Sequence, residues 1–281
     1  MPAGASIRLQ LQERQFNMRN HYRKRYASCL SVLLVLLCAF STAAASFDAS
    51  GEGRNETDEH SLFQVSTLDA LSLGLYQGVY SISRLKEHGD FGLGTFEGID
   101  GEMTVVDRHF YHFRSDGTLT EEGNTTKVPF AVLTEFKPQL RFTVRGKSLD
   151  QMGKYIDQFL PSPNFFYAIR IHGLFTHLTT RAIPKLFPPY PPLTEAVQQE
   201  IIFPYENVEG QIAAFRCPAF VKGLNQVGYH YHFISDDKTI GGHCLDFVTG
   251  PVTVEVEILR ENSVWLPDTP AFRNAPLPVS Q

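Results

Sequence analysis

Between Gly92 and Val144, apolar and aromatic residues recur in short runs or at alternate positions, broken by Gly and Asp. Met103–Val106, His109–Phe113, Phe130–Phe136 and Leu140–Val144 read as strands, with Ser115-Asp116-Gly117 the clearest turn. Two stretches keep helical spacing instead. Ser66-Thr67-Leu68-Asp69 resembles a capping box and opens a short helix to about Leu75, with Leu68, Leu71 and Leu75 on one face. Ser148-Leu149-Asp150-Gln151 opens a second helix through about Phe159, ended by Pro161 and Pro163. Beyond these prolines, Phe165–Leu174 reads as a strand. Pro184–Pro192, with five prolines, reads as a loop, and Thr194–Glu200 as a short helix. Further strands are expected at about Gly210–Phe215, Gly228–Ile234, Gly242–Val248 and Val252–Leu259. The pattern predicts an α+β, strand-rich fold with two β-sheet domains and few short helices. The proline pair marks the expected boundary between an N-terminal α+β domain, 62–163, and a C-terminal β-rich domain, 164–281.

The N-terminal segment follows a different rule. A basic stretch ending at Arg25 leads into the apolar run Cys29–Phe40, and Ala43-Ala44-Ala45 follows. Basic region, short apolar region and small residues describe a secretory signal peptide over residues 1–45, cleaved after Ala45. The competing reading is an uncleaved membrane anchor, although a span needs roughly 20 apolar residues. The stretch before the apolar run is long for a signal, and initiation at Met18 would shorten it. Residues 46–61 are polar and read as a disordered leader, so after cleavage no stable membrane span is expected. Asn55-Glu56-Thr57 and Asn124-Thr125-Thr126 are sequons, open to glycosylation in a eukaryotic secretory route and making a glycoprotein there. Cys29 and Cys38 belong to the signal segment. Cys217 and Cys244 remain, either as a disulfide in an oxidising compartment or as two buried thiols.

Charge narrows the partners. The whole chain carries a formal −5, but residues 1–45 hold six Lys/Arg and one acid, leaving 19 bases against 29 acids, or −10. An acidic globule lacks the basic footprint that phosphate backbones attract, so no nucleic-acid partner is expected.

The sharpest chemical feature is Gly228-Tyr229-His230-Tyr231-His232-Phe233-Ile234, then a polar turn, then Gly241-Gly242-His243-Cys244. On a strand, residues two apart share a face, so His230 and His232 project together while Tyr229, Tyr231 and Phe233 cover the other side. Ser235-Asp236-Asp237-Lys238 supplies a turn that returns the next strand alongside and brings His243 to the pair. Three imidazoles converging from adjacent strands suit a catalytic zinc site with an open fourth position. The competing reading is a set of core histidines, and spacing alone does not choose zinc over copper, iron or nickel. Cys244 follows His243 directly and points to the opposite face, away from the fourth position. His109 and His112 fall on opposite faces of one strand, and His172 and His177 show no matching pattern; these read as ordinary.

Several blocks in order carry a resemblance over about residues 62–275. They are Gly94–Met103, Tyr167–Ile171, Thr180–Lys185, Pro188–Leu193, Phe215–Gly223 and the His230/His232/His243 block. Together they resemble the alpha-acetolactate decarboxylase family, whose members convert 2-acetolactate to acetoin and carbon dioxide. The resemblance implies Zn2+ held by His230, His232 and His243, with Glu102 and Arg181 on the open side of the metal and Thr95 close to the substrate. Taken alone, Glu102 reads as a turn acid and Arg181 as a surface cation. Within the family's chemistry, zinc serves as Lewis acid and electron sink, Arg181 orients the carboxylate, and Glu102 handles the proton. A homodimer, a single acetoin enantiomer and acetoin biosynthesis are also implied. Bacterial relatives bring a further glutamate from a tail beyond the segment matching Phe272–Ala275. Either Glu255 or Glu257 is expected to take its place, or Glu102 acts alone. Two other classes share these residues: a secreted zinc hydrolase, which would cleave esters or amides, and a non-catalytic module, which would bind without turnover.

Overall fold

The computed structural model describes residues 60–277. The signal segment, the leader up to residue 59 and the Asn55 sequon lie outside the described residues. In chain order the first elements are β1 (Ser61–Val65), α1 (Leu68–Ser72), β2 (Tyr80–Ser81), α2 (Ile82–Leu85), β3 (Phe91–Phe96) and β4 (Asp100–Val106). They are followed by β5 (His109–Phe113), β6 (Leu119–Glu121), β7 (Lys127–Val128), β8 (Phe130–Thr134), β9 (Leu140–Val144) and α3 (Leu149–Ile156). The remainder comprises β10 (Phe166–Ala182), α4 (Leu193–Ala196), β11 (Ile201–Cys217), β12 (Gly228–Ser235), β13 (Gly241–Leu259), β14 (Glu261–Trp265) and α5 (Pro270–Arg273). As the pattern predicts, the fold is strand-rich with short helices. The helix ends are chemically set: Thr67 accepts from the Ala70 amide, and Ser148 with Gln151 forms a full capping box.

Two large sheets carry the structure. One has seven strands in the order β14-β1-β8-β3-β4-β5-β6. The other runs β10-β11-β12-β13-β9, and β10 also pairs with β13, so four long strands close on themselves. Alternation along these strands sorts side chains into two cores. On β10, Phe166 and Ala168 pack with Leu62, Phe91, Phe130 and Phe215 in a core shared by both sheets. Tyr167, Ile169 and Ile171 instead join Phe233, Val254 and α3 residues Met152 and Ile156 in a second core.

This arrangement corrects the expected boundary at Pro161 and Pro163. β9, before the prolines, hydrogen-bonds to β13 in the five-stranded sheet, and β14, near the C-terminus, pairs in parallel with β1 in the seven-stranded sheet. The prolines interrupt backbone pairing locally, but each sheet recruits a strand from the far side and the sheets share a core. Residues 62–163 and 164–281 are therefore not separate folding units.

Three strands are longer than their patterns suggest. β10 runs on to Ala182 through register shifts near Gly173, Phe175 and Thr179. β11 begins at Ile201, where it pairs with β10 alone, and that free edge tolerates Pro204. The two strands expected around Gly250-Pro251 are one, β13. The register against β10 jumps from Gly173↔Val252 to Phe175↔Thr249, so the Gly-Pro pair is absorbed as a bulge. Cys217 and Cys244 are free and buried in different cores, which selects the thiol reading over the disulfide.

Candidate metal centre and its cavity

The register of the closed strands assembles the centre. His232 pairs directly with His243 across β12 and β13, and Arg181 pairs with His243 across β10 and β13. Directly opposed residues project from the same face, so one arginine and two histidines form a row over three strands. His230, two residues before His232, joins the same face. Gly242 makes the close approach possible: its φ is +121°, and a Cβ there would lie 2.8 Å from the Arg181 carbonyl oxygen. On the other side of β12, Tyr231 and Phe233 fill the second core as the alternation predicts. Cys244 packs in that core too, away from the histidines.

The three imidazoles converge on one point. His230 Nε2 lies 3.1 Å from both His232 Nε2 and His243 Nδ1, and the last two are 3.3 Å apart. Nitrogens at corners of a tetrahedron with metal bonds of about 2.0–2.1 Å are separated by about 3.3 Å, so the spacing fits a tetrahedral ion. The protonation states fit as well. His232 donates from Nδ1 to the Met103 carbonyl at 2.7 Å, which leaves a lone pair on Nε2. Burial, reinforced by Arg181, lowers the His230 pKa to about 4. His232 and His243 are held well below the ordinary range by burial, by the Arg181 guanidinium and by the repulsion that a second protonated imidazole would bring. Neutral imidazoles are the form that binds metal. The three residues are therefore a group capable of holding a metal ion.

Glu102 and Arg181 lie beside it. Glu102 Oε2 is 3.5 Å from His232 Nε2, and Glu102 Oε1 is 3.4 Å from an Arg181 terminal nitrogen. Glu102 is 7% exposed. Burial raises its pKa to about 7 against the lowering pull of Arg181, with Glu200 adding a further push upward. It is brought there by a tight Gly101 turn, φ +62°, whose carbonyl accepts from the Thr95 hydroxyl at 2.8 Å. Thr95 thus lines the cavity and holds the turn preceding Glu102. Arg181 Nε lies 3.2 Å from Glu200 Oε2, while its buried Nη1, the nitrogen that faces Glu102 Oε1 at 3.4 Å, makes no hydrogen bond within the protein.

Two candidate acids stand elsewhere. Glu255 pairs with Arg141 and Arg170, and Glu257 bonds to His60 Nδ1 at 2.7 Å; neither lines the cavities beside the triad. The second carboxylate close to the centre is Glu200, which the sequence pattern marked only as the end of a short helix. Nothing local distinguishes it; its role follows from β11 starting one residue later and Ile202 pairing with Arg181.

The space that the triad faces is a chamber of about 120 Å3. Its apolar wall includes Leu68, Leu71, Ile99, Phe130, Ile183 and Leu193, and its polar wall the three histidines, Glu102 and Arg181. A wider cavity of about 590 Å3 lies beside it, lined by Asp150, Lys154, Asp157 and Tyr229 among others.

Comparison with known proteins agrees with this architecture. Residues 62–279 match the family model for alpha-acetolactate decarboxylase. The alpha-acetolactate decarboxylase of Methanosarcina mazei is 40% identical over 217 residues, covering 77% of this chain and 75% of that protein. That of Bacillus subtilis is 39% identical over 226 residues, covering 80% and 89%. A crystal structure of the Bacillus subtilis enzyme superposes with a TM-score of 0.76 at 40% identity, covering 77% of this chain and 93% of that one. With sequence, fold and length all matched, the chain belongs to the alpha-acetolactate decarboxylase family.

Proposed function

We propose that this protein decarboxylates 2-acetolactate to acetoin and carbon dioxide, with zinc held by His230, His232 and His243. The observation that carries the reading is a histidine triad with metal-ligand spacing that shares one small chamber with a buried carboxylate and a half-buried guanidinium, in a chain of this family. When bound, zinc supplies a Lewis acid toward the adjacent oxygens of the substrate and draws off the electrons released by decarboxylation. The imidazole set does not by itself distinguish zinc from copper or nickel, so metal analysis is part of the test.

The side chains divide the remaining work. Arg181 Nη1 makes no hydrogen bond and faces Glu102 Oε1 at 3.4 Å, so a substrate carboxylate takes this nitrogen in competition with Glu102, a competition that protonation of Glu102 near neutrality relieves. Its Nε stays on Glu200, which fixes the plane of the guanidinium. The apolar wall from α1, Phe130 and Ile183 excludes water and seats the two methyl groups. Glu102, near neutrality in its pKa, is placed to hold the hydroxyl proton or to deliver one to carbon after carbon dioxide departs.

The direct experiment measures acetoin from racemic 2-acetolactate, with and without a zinc chelator, against the spontaneous background. Chelator-sensitive acetoin supports the reading. A folded, zinc-loaded protein that forms none would contradict it, and ester hydrolysis or binding without turnover would then identify the alternative class.

Export is proposed on the sequence of residues 1–45 alone. No described helix is long and apolar enough to cross a membrane. Asn124 is exposed in a turn, so its sequon is accessible to glycosylation. N-terminal sequencing of the mature protein tests cleavage after Ala45, and a mobility shift on glycosidase treatment tests the sequon.

A further inference from the structure

The small chamber and the wider cavity share four lining residues: Arg181, Gln226, His230 and His243. Three of these belong to the machinery already described. Gln226 is different, because it is an exposed, uncharged residue outside that machinery. The geometry points to Gln226 as the residue that partitions the two spaces and sets the size of substituent the chamber accepts. This inference rests on the decarboxylase reading and adds a specificity-determining position to it.

Its backbone is firmly held while its amide is not. The Gln226 N–H donates to Asn225 Oδ1 at 2.7 Å, and Asn225 Nδ2 donates to Gln64 Oε1 at 2.8 Å. Gln64 in turn donates from Nε2 to the Leu224 carbonyl at 2.7 Å and to the Ser66 carbonyl at 2.8 Å. Gln64 and Asn225 are both buried, so this amide network fixes the loop before β12 to β1. The Gln226 side chain makes one local bond, from Nε2 to the Val227 carbonyl at 3.2 Å. A fixed backbone carrying a weakly tethered side chain makes a wall whose thickness depends on that side chain.

Volume gives the wall its consequence. At about 120 Å3 the chamber is roughly fivefold smaller than its 590 Å3 neighbour. That suits a compact substrate whose C2 carries a methyl group, and leaves little room for a longer chain. The neighbouring 590 Å3 would accept one if the partition were thinned. Glutamine is long enough to divide the spaces; alanine is not.

The test compares kcat/KM for 2-acetolactate and for its homologue with n-propyl in place of the C2 methyl, using wild type, Gln226→Ala and Gln226→Met. Gln226→Ala is expected to raise the propyl-to-methyl ratio by ~10-fold, the scale set by added methylenes against a hydrophobic wall. Gln226→Met, which keeps the volume without the amide, is expected to retain the wild-type ratio. A ratio unchanged in Gln226→Ala, or shifted equally by Gln226→Met, overturns the inference while leaving acetoin formation by wild type intact. Wild type that forms no acetoin from 2-acetolactate overturns the underlying reading instead.

Discussion

Arg181 of β10 stands directly across from His243 of β13, so the guanidinium and a metal-binding imidazole rise from one sheet face on adjacent strands. The pairing explains why a cation sits beside three histidines without a local motif to announce it. Burial first, and that guanidinium second, hold the His243 imidazole well below its ordinary pKa range.

Replacing Arg181 should therefore affect substrate handling more than metal. Arg181→Gln is expected to lower kcat/KM by ~100-fold, the scale of a lost charge-assisted hydrogen bond, with zinc content unchanged. Arg181→Lys should recover little, because a point charge cannot engage Glu200 and a carboxylate with one planar fork. Steady-state kinetics with metal analysis on the same samples checks this.

His232→Ala is expected to lose zinc and activity together. The imidazole supplies one ligand atom, and its Nδ1–H bond to Met103 ties that ligand to β4 of the seven-stranded sheet. The readout is zinc per chain by elemental analysis beside acetoin formation. Full metal retention would remove His232 from the ligand set.

Glu102→Gln keeps the side-chain size but not the proton. Zinc should remain, and turnover should fall by ~10²–10⁴-fold, the usual contribution of a positioned acid–base group. A wild-type rate in this variant would remove Glu102 from the mechanism.

Much of the centre was legible because β-strand alternation is local. His230 and His232 share a face through spacing alone, and the Ser235–Lys238 turn foretold the return of His243. Cys244 was excluded by the same parity. Glu102, Arg181 and Thr95 were visible only through family resemblance, since their approach depends on long-range register. The strand carrying Arg181 went unrecognised beyond Leu174 because buried Thr180 interrupts the apolar alternation; its hydroxyl is satisfied by the Gly241 carbonyl at 2.8 Å. The expected domain boundary failed for a related reason. Prolines report the local backbone, whereas β9 and β14 join their sheets through partners more than a hundred residues away.

The turn that positions the triad has its own pH signature. Asp237 accepts from the Ser235 hydroxyl at 2.6 Å and the Thr239 hydroxyl at 2.7 Å, and these bonds hold its pKa below 3.8. A depressed carboxylate contributes stability above its unfolded pKa and loses it as pH falls through the folded value. Asp237→Ala should accordingly lower Tm at pH 7, with the gap to wild type narrowing below pH 3.8. Thermal melts across that range check the sign; a gap that widens in acid would contradict it.

Whether a metal at His230, His232 and His243 drives acetoin formation is read by titrating Zn2+ back into chelator-stripped protein while following acetoin from 2-acetolactate. Activity is expected to be negligible at the start and to rise until it saturates at one zinc per chain, with no such rise in His232→Ala. Full activity in the metal-free protein, or none after one zinc is bound, would contradict that role for the metal.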